Sequence, residues 1–108
     1  MSDDQRMAPR RRALLSGMLV FQDGARTISC SIRDLSEVGA KVELSGLEWL
    51  PRSVRLIEMS GGIARDCRVA WVRGRQLGLE FLATHDLQGA DAPALQAMRR
   101  LWTESRAR

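Results

Sequence analysis

Three residues with distinct chemical and conformational uses lie together in the segment Asp34-Leu35-Ser36-Glu37-Val38-Gly39. Asp and Ser side chains can accept hydrogen bonds from nearby backbone N–H groups, and glycine adopts a positive φ that other residues resist. The segment is therefore typical of a tight turn. The same carboxylate and hydroxyl groups can also bind a ligand, so both interpretations stay open on these residues alone.

Four arginines cluster near the N-terminus, at Arg6, Arg10, Arg11 and Arg12. The chain has 17 basic and 13 acidic residues, a net charge of +4, and Lys41 is its single lysine. A guanidinium group is a planar fork that stacks on rings and binds phosphate in a bidentate way. A general arginine bias also follows from a GC-rich genome, so only the clustering indicates an anionic ligand.

The composition limits the classes of protein that fit. A chain of 108 residues with 44% hydrophobic content predicts one globular domain, and its apolar runs are far shorter than a membrane span. The acidic start of the chain does not resemble a secretory signal, so we expect a cytoplasmic protein with no membrane contact. In that reducing compartment Cys30 and Cys67 are expected to be small buried side chains.

Enzymatic and nucleic-acid-binding functions are disfavoured. The only histidine, His85, is predicted in a surface loop after a strand, and the chain has no metal-ligand cluster and no nucleophile with a base. We therefore expect no catalysis, no metal and no cofactor. A basic arm would suit nucleic acid, but aromatic residues form only 5% of the chain and no stacking stripe follows a strand face.

The alternation of apolar and polar residues predicts six strands, near residues 14–22, 27–33, 40–44, 53–59, 63–72 and 76–82. Turn signals separate them, including Asp23-Gly24, Ser60-Gly61-Gly62 and Arg73-Gly74-Arg75. A loop over 45–51 could include one helical turn. Short strands without intervening helices predict an antiparallel sheet that closes into a small barrel.

Several apolar side chains have two open interpretations. On the fifth predicted strand Trp71 shares a face with Cys67 and Val69, which favours the core, although it could stack on a base. Trp49, in a loop, is equally undecided. The sixth strand is expected to turn Leu77, Leu79 and Phe81 inward and Gly78 and Glu80 outward.

A helix is predicted to begin at Pro93, after a linker rich in Gly, Ala and Asp. Its apolar residues recur at spacings of three and four, at Ala94, Leu95, Met98, Leu101 and Trp102. This stripe is expected to pack on the barrel, and the alternative is a helix that binds a partner. The chain thus divides into a flexible arginine-rich arm (1–12), a barrel (13–83), and a linker with a C-terminal helix (84–108).

The order of these motifs resembles the PilZ domain family of bacterial cyclic di-GMP receptors. Arg6-x-x-x-Arg10 is followed by a strand pair and then by the Asp34 to Gly39 segment, and Leu77-Gly78-Leu79-Glu80-Phe81 looks like the family's closing strand. The resemblance covers about residues 5–81. It implies an all-β fold, a six-stranded antiparallel PilZ-type β-barrel with a flexible N-terminal arm and a C-terminal α-helix.

The resemblance also implies a role for each motif residue. Arg6 and Arg10 would bind guanine O6 and N7 or a phosphate, Asp34 would accept from guanine N1–H and N2–H₂, and Ser36 would donate. Gly39 would supply a positive φ and a close backbone approach. Arg11 and Trp71 are further candidates for ligand contact.

The implied function is that of a cyclic di-GMP receptor that signals to a protein partner through ordering of its arm. The sequence does not identify the partner, the affinity or the number of ligands. Two alternatives remain: a PilZ-fold adaptor that binds protein and no nucleotide, and a small basic barrel that binds nucleic acid.

Overall fold

The computed structural model describes residues 11–46, 49–89 and 93–106, and the side chains of 11–13, 94 and 106 are not part of that description. Arg6 and Arg10 therefore lie outside the described residues, as does part of the predicted helical turn near 47–50. The described elements are β1 (Arg11–Phe21), β2 (Arg26–Leu35), β3 (Gly39–Leu44), β4 (Ser53–Glu58), β5 (Ile63–Arg73), β6 (Gln76–Asp86), a short 3₁₀ turn (Leu87–Gly89) and α1 (Pro93–Arg106).

The six strands form one closed antiparallel barrel in the order β1-β2-β3-β6-β5-β4. Pairing of β1 with β4, from Gly17 opposite Glu58 to Val20 opposite Arg55, completes the ring. Closure satisfies the backbone groups that an open sheet would leave at its edges. The predicted six-stranded antiparallel barrel with a C-terminal helix is confirmed.

The barrel has an interior core and a second apolar cluster on its outer surface. Side chains that alternate along the strands fill the interior, with Leu19, Ile32, Val42, Leu56 and Leu77 fully buried. The outer cluster lies under α1 and joins Val20, Ile57, Ala64 and Leu87 of the barrel side to Met98 and Trp102 of the helix.

Helix α1 is fixed to the barrel mainly through Trp102, which is 5% exposed. Its indole Nε1–H donates to the carbonyl of Met59 at 2.8 Å, and its ring lies against Gly62 in the turn between β4 and β5. Met98, one turn earlier, is also buried. The prediction that the apolar stripe of the helix packs on the barrel is therefore confirmed.

Strand β6 ends at Asp86, four residues beyond the predicted end at Leu82. The extension pairs with the start of β5, where Ala64 lies opposite His85. The predicted loop position of His85 is therefore wrong: it lies half-buried in a strand, with Nε2 3.1 Å from Oδ2 of Asp66.

The predicted inward position of Trp71 is also wrong. The register between β5 and β6 shifts between Val69 and Trp71, so a β-bulge interrupts the period of two. Trp71 consequently lies on the outer surface and is 40% exposed. Gly78 faces outward, as predicted, but it is buried because the Trp71 ring covers it on that face.

Candidate functional site

The turn between β2 and β3 is organised around the hydroxyl of Ser36. Its Oγ accepts hydrogen bonds from the backbone N–H groups of Val38 and Gly39, each at 3.2 Å. The Ser36 N–H donates to the carbonyl of Gly39 at 2.9 Å, and Oγ lies 3.3 Å from the same oxygen. Ser36 therefore has the turn-forming role that its residue type predicts.

Gly39 is required by a close backbone approach. A Cβ at this position would lie 2.4 Å from the carbonyl oxygen of Leu79 on β6. The predicted positive φ is wrong, because among the described glycines only Gly24, Gly62 and Gly74 adopt one. The predicted close approach is correct, and it fixes the turn against the neighbouring strand, where the Phe81 N–H also donates to the carbonyl of Val38 at 2.8 Å.

Asp34 is the one charged residue among the described residues that is buried, with a side chain only 8% exposed. Lys41 of β3 lies directly opposite it, with Nζ 3.3 Å from Asp34 Oδ2. Lys41 itself is 36% exposed. A buried carboxylate is costly unless paired, so the ion pair helps the barrel to tolerate this charge.

The register of β2 shifts relative to both of its neighbouring strands, β1 and β3, beside Asp34. On one side the shift lies between Arg12 and Leu15 of β1, and on the other between Ile32 and Asp34 relative to β3. Bulges of this kind often re-aim side chains next to binding sites. Backbone pairing also sets Arg12 opposite Asp34 and Arg11 opposite Leu35, so β1 begins beside the turn.

A shallow cavity of about 200 Å³ opens beside this turn. Its walls come from the turn and β3 on one side, through Ser36, Gly39 and Lys41, and from Trp71 and Gly78 on the other. Among the described residues that line it, Lys41 is the only charged one. The fold therefore brings together Ser36, Gly39 and Trp71, three residues that the sequence proposed for ligand contact.

The indole of Trp71 lies flat on β6 because Gly78 has no side chain. A Cβ on Gly78 would lie 2.2 Å from Trp71 Nε1. The guanidinium of Arg73 lies 5.5 Å from the centroid of the Trp71 ring, within the range of a cation–π contact. The cavity wall is thus an aromatic ring held in place by the strand below it.

A second polar cluster lies at the other end of β1. Asp66 accepts from Arg55 Nε at 3.0 Å and pairs with His85, beside a cavity of about 340 Å³ that Val20, Phe21 and Leu82 also line. Partial desolvation by itself raises the pKa of Asp66, but the hydrogen bonds from His85 and Arg55 outweigh it and lower the pKa below its usual 3.8. This carboxylate is therefore held ionised by two basic neighbours.

Sequence reasoning missed Lys41, Gly78 and Arg73 as parts of the site. Lys41 had one usable signal, since it is the single lysine in a chain whose other cations are arginine. The contributions of Gly78 and Arg73 depend on the bulge in β5, which leaves no clear mark in the alternation. Trp49, the other undecided tryptophan, is exposed.

The comparisons with known proteins agree with this fold. The PilZ domain family matches residues 4–92, so the chain belongs to the PilZ domain family. That family is associated with cyclic di-GMP as its ligand, and its members are generally non-enzymatic receptors.

A solved structure of the Bacillus subtilis inhibitor of motility, MotI/DgrA, superposes with a TM-score of 0.61 at 19% sequence identity. The match covers 96% of this chain and 52% of that one, so the chain spans about half the length of that protein. At this identity the likeness concerns the fold. No curated protein matches the chain in sequence.

The described residues contain neither a membrane-spanning helix nor a cluster of metal ligands. No helix there is long and apolar enough to cross a membrane. No group of three or more His, Cys, Asp or Glu side chains in the described part of the chain could hold a metal ion.

Proposed function

We propose that the protein is a receptor that binds cyclic di-GMP at the turn between β2 and β3. The observation that carries this proposal is the shared cavity of Ser36, Gly39 and Trp71, beside the buried Asp34 and next to the start of β1. It joins hydrogen-bonding groups of the Asp-x-Ser-x-x-Gly motif to an aromatic surface, the two features that a purine base requires.

Asp34 is the acceptor for the guanine edge in this proposal. A carboxylate offers two oxygens to the N1–H and N2–H₂ donors of one base, and a charge-assisted pair is stronger than a neutral one. Low exposure of the Asp34 side chain favours the role, since a hydrogen bond from ligand gains strength where water is excluded. The Ser36 hydroxyl, which donates to the Gly39 carbonyl at 3.3 Å in the structure, exchanges that bond for one to a base or phosphate oxygen.

Trp71 supplies the stacking surface. The exposed Trp71 indole lies on Gly78, and a base that takes the place of the Arg73 guanidinium over the ring would gain about 1–3 kcal/mol from stacking. A cavity of about 200 Å³ is smaller than the roughly 300–1,000 Å³ of most sites for whole small molecules. It therefore suits a single base, with the sugar–phosphate ring of the ligand lying outside it.

The arginines supply the remaining contacts in this proposal. Arg6 and Arg10 donate to guanine O6 and N7 or clamp a phosphate, and Arg11 adds a further cation. Support comes from the register of β1, since Arg11 lies opposite Leu35 of the motif. The arm that precedes Arg11 in the chain therefore joins the barrel beside the cavity.

Signal output is the second half of the proposal. Residues 1–10 of the predicted arm, which precede β1, act as a flexible segment that becomes ordered over the bound nucleotide, and ordering costs about 1–2 kcal/mol per residue. Several charge-assisted bonds offset that cost. The ordered arm changes the surface that a cytoplasmic protein partner meets, which couples the second messenger to a downstream process.

Titration calorimetry with cyclic di-GMP, at low and at moderate salt, tests nucleotide binding. The variants are Arg10→Ala and Asp34→Asn. The second of these removes the carboxylate charge and keeps the shape of the side chain. Matched controls are Arg52→Ala, an exposed arginine elsewhere, and Asp66→Asn, a paired carboxylate at the other end of β1. We expect saturable binding by the wild type and both controls, with loss of at least tenfold in affinity for the two site variants.

The result that would sink the receptor proposal is an absence of heat with wild-type protein at high micromolar ligand. The chain would then act as a PilZ-fold adaptor that binds protein, and a basic nucleic-acid-binding barrel would be tested with single-stranded oligonucleotides. Hydrogen exchange tests the arm separately. The amides of residues 7–10, which precede β1, should gain protection with ligand, and unchanged exchange there would contradict the ordering step alone.

A further inference from the structure

The ligand cavity contains one charged side chain among the described residues that line it, and that side chain belongs to Lys41. Its ammonium Nζ lies 3.3 Å from Oδ2 of Asp34, and Lys41 lines the cavity together with Ser36 and Trp71. Lys41 therefore stands between the buried carboxylate and the open cavity. This position gives it access to both partners.

Exposure differs sharply across this ion pair. The Lys41 side chain is 36% exposed and the Asp34 side chain is 8% exposed. A lysine carries a compact charge on a flexible four-carbon stem, so its ammonium can move within the reach of that stem without a change in the strand. The carboxylate lies on the short side chain of a residue paired with strands on both sides, which leaves it little freedom.

A base that donates to Asp34 competes with the ammonium for the same carboxylate oxygens. The guanine edge is neutral, so it satisfies the hydrogen-bonding capacity of Asp34 but brings no negative charge of its own for the displaced cation. Each phosphate of a cyclic dinucleotide carries a negative charge beside its base and sugar. A displaced ammonium that turns toward the cavity would meet that charge.

We propose that Lys41 is a phosphate-binding residue that Asp34 holds in place until ligand arrives. On binding, the Asp34 carboxylate exchanges the Lys41 ammonium for guanine N–H donors, and the ammonium exchanges the carboxylate for a ligand phosphate. The inference rests on the proposed function, because it assigns a partner to a residue of that same site. It adds a specificity element for an anionic nucleotide over an uncharged purine.

The first test compares affinities by calorimetry with cyclic di-GMP. Lys41→Met removes the charge and should weaken binding about tenfold or more, the usual effect of losing a charge-assisted bond. Lys41→Arg keeps the charge and should stay within about threefold of the wild type. The matched control is Arg55→Met, which removes one cation of similar exposure from an ion pair with Asp66 and should leave affinity unchanged.

The second test uses the single lysine as a spectroscopic probe. Reductive methylation with ¹³C-formaldehyde labels Lys41 and the α-amino group and preserves the lysine charge. The ligand-free Asp34→Asn variant gives the ¹³C shift of a Lys41 that has no carboxylate partner. Saturation of labelled wild-type protein with cyclic di-GMP should move the Lys41 signal away from its ligand-free position.

Both results are needed to support the exchange. A wild-type protein that binds ligand with an unmoved Lys41 signal, or a Lys41→Met variant with wild-type affinity, overturns this inference while the receptor proposal stands. If Lys41→Met fails to fold, the ¹³C signal of Lys41 in the wild type and the affinity of Lys41→Arg still test whether Lys41 exchanges partners. Absence of any binding by wild-type protein overturns the receptor proposal, and this inference with it.

Discussion

Two tryptophans of this barrel lie on a glycine in the same way but have opposite surroundings. The Trp102 ring lies against Gly62, where a Cβ would be 2.5 Å from the ring, and the Trp71 ring lies against Gly78, where it would be 2.2 Å away. Trp102 is 5% exposed and Trp71 is 40% exposed. A glycine can thus support an indole ring in a buried position and in an exposed position.

The difference lies in how the second face of each ring is used. Trp102 packs in the apolar cluster under α1, and its indole N–H donates to the carbonyl of Met59. The outer part of Trp71 forms a wall of the cavity beside Ser36. A buried indole whose N–H is hydrogen-bonded fixes the helix to the barrel, whereas an exposed indole that lines a cavity can bind a ligand.

The largest effect is expected from Trp102→Ala. Removal of a buried tryptophan usually costs about 3–5 kcal/mol, because it leaves a cavity and exposes the cluster beneath α1. Urea unfolding followed by circular dichroism measures this loss of unfolding free energy. The matched variant is Trp71→Ala, which should cost clearly less, and equal losses for the two variants would break the distinction between the two rings.

Gly62→Ala tests the glycine under the Trp102 ring. Gly62 has a φ of +66°, and an added Cβ would also meet the Trp102 ring. The left-handed backbone and the overpacking together should destabilise the fold by about 2–5 kcal/mol. Gly74→Ala is the control, since Gly74 has a φ of +63° and nothing within 4 Å of an added Cβ, so it isolates the backbone cost. Equal costs at the two sites would mean that the ring contact contributes nothing.

Trp71→Ala is expected to act on binding instead of stability. Loss of one base-stacking surface should reduce affinity for cyclic di-GMP by about 1–3 kcal/mol, or roughly 5- to 150-fold. Calorimetry on the folded variant checks this, and Trp49→Ala, another exposed tryptophan, is the control with unchanged affinity expected. Wild-type affinity in Trp71→Ala would remove this ring from the site and leave the motif residues as the only candidates.

The sequence predicts the strands better than it predicts which way their side chains face. A period of two identified all six strands, and turn residues separated them, because both signals are local. The outward position of Trp71 is not local, since it follows from a register shift against β6 that only the paired strand defines. The extension of β6 beyond its predicted end also depends on a distant strand, because residues near His85 become a strand only through pairing with β5.

The residues of the candidate site also divide into those whose contacts are local and those whose contacts are to distant strands. Ser36 acts within its own turn, so its residue type and spacing predicted its hydrogen bonds. For Gly39, the predicted close backbone approach is correct and the predicted positive φ is wrong. The Leu79 carbonyl that it approaches belongs to a strand about 40 positions away along the chain. The pairing of Lys41 with Asp34 depends on the β2–β3 register, which the bulge at the end of β2 alters.

Gly78→Ala gives the smallest effect and the sharpest distinction between the two rings. An added Cβ would displace the Trp71 indole, but the ring is at the surface and can move, so the expected cost in stability is only about 0.5–1.5 kcal/mol for an off-rotamer side chain. Gly62→Ala should cost more stability than Gly78→Ala because the Trp102 ring is enclosed.

Affinity for cyclic di-GMP should fall with Gly78→Ala, but less than with Trp71→Ala, since a tilted ring retains part of its surface. Calorimetry and urea unfolding on the same preparations test both statements. A Gly78→Ala protein with full affinity would show that the flat position of the indole on β6 is unimportant, and that any exposed ring at this place binds equally well.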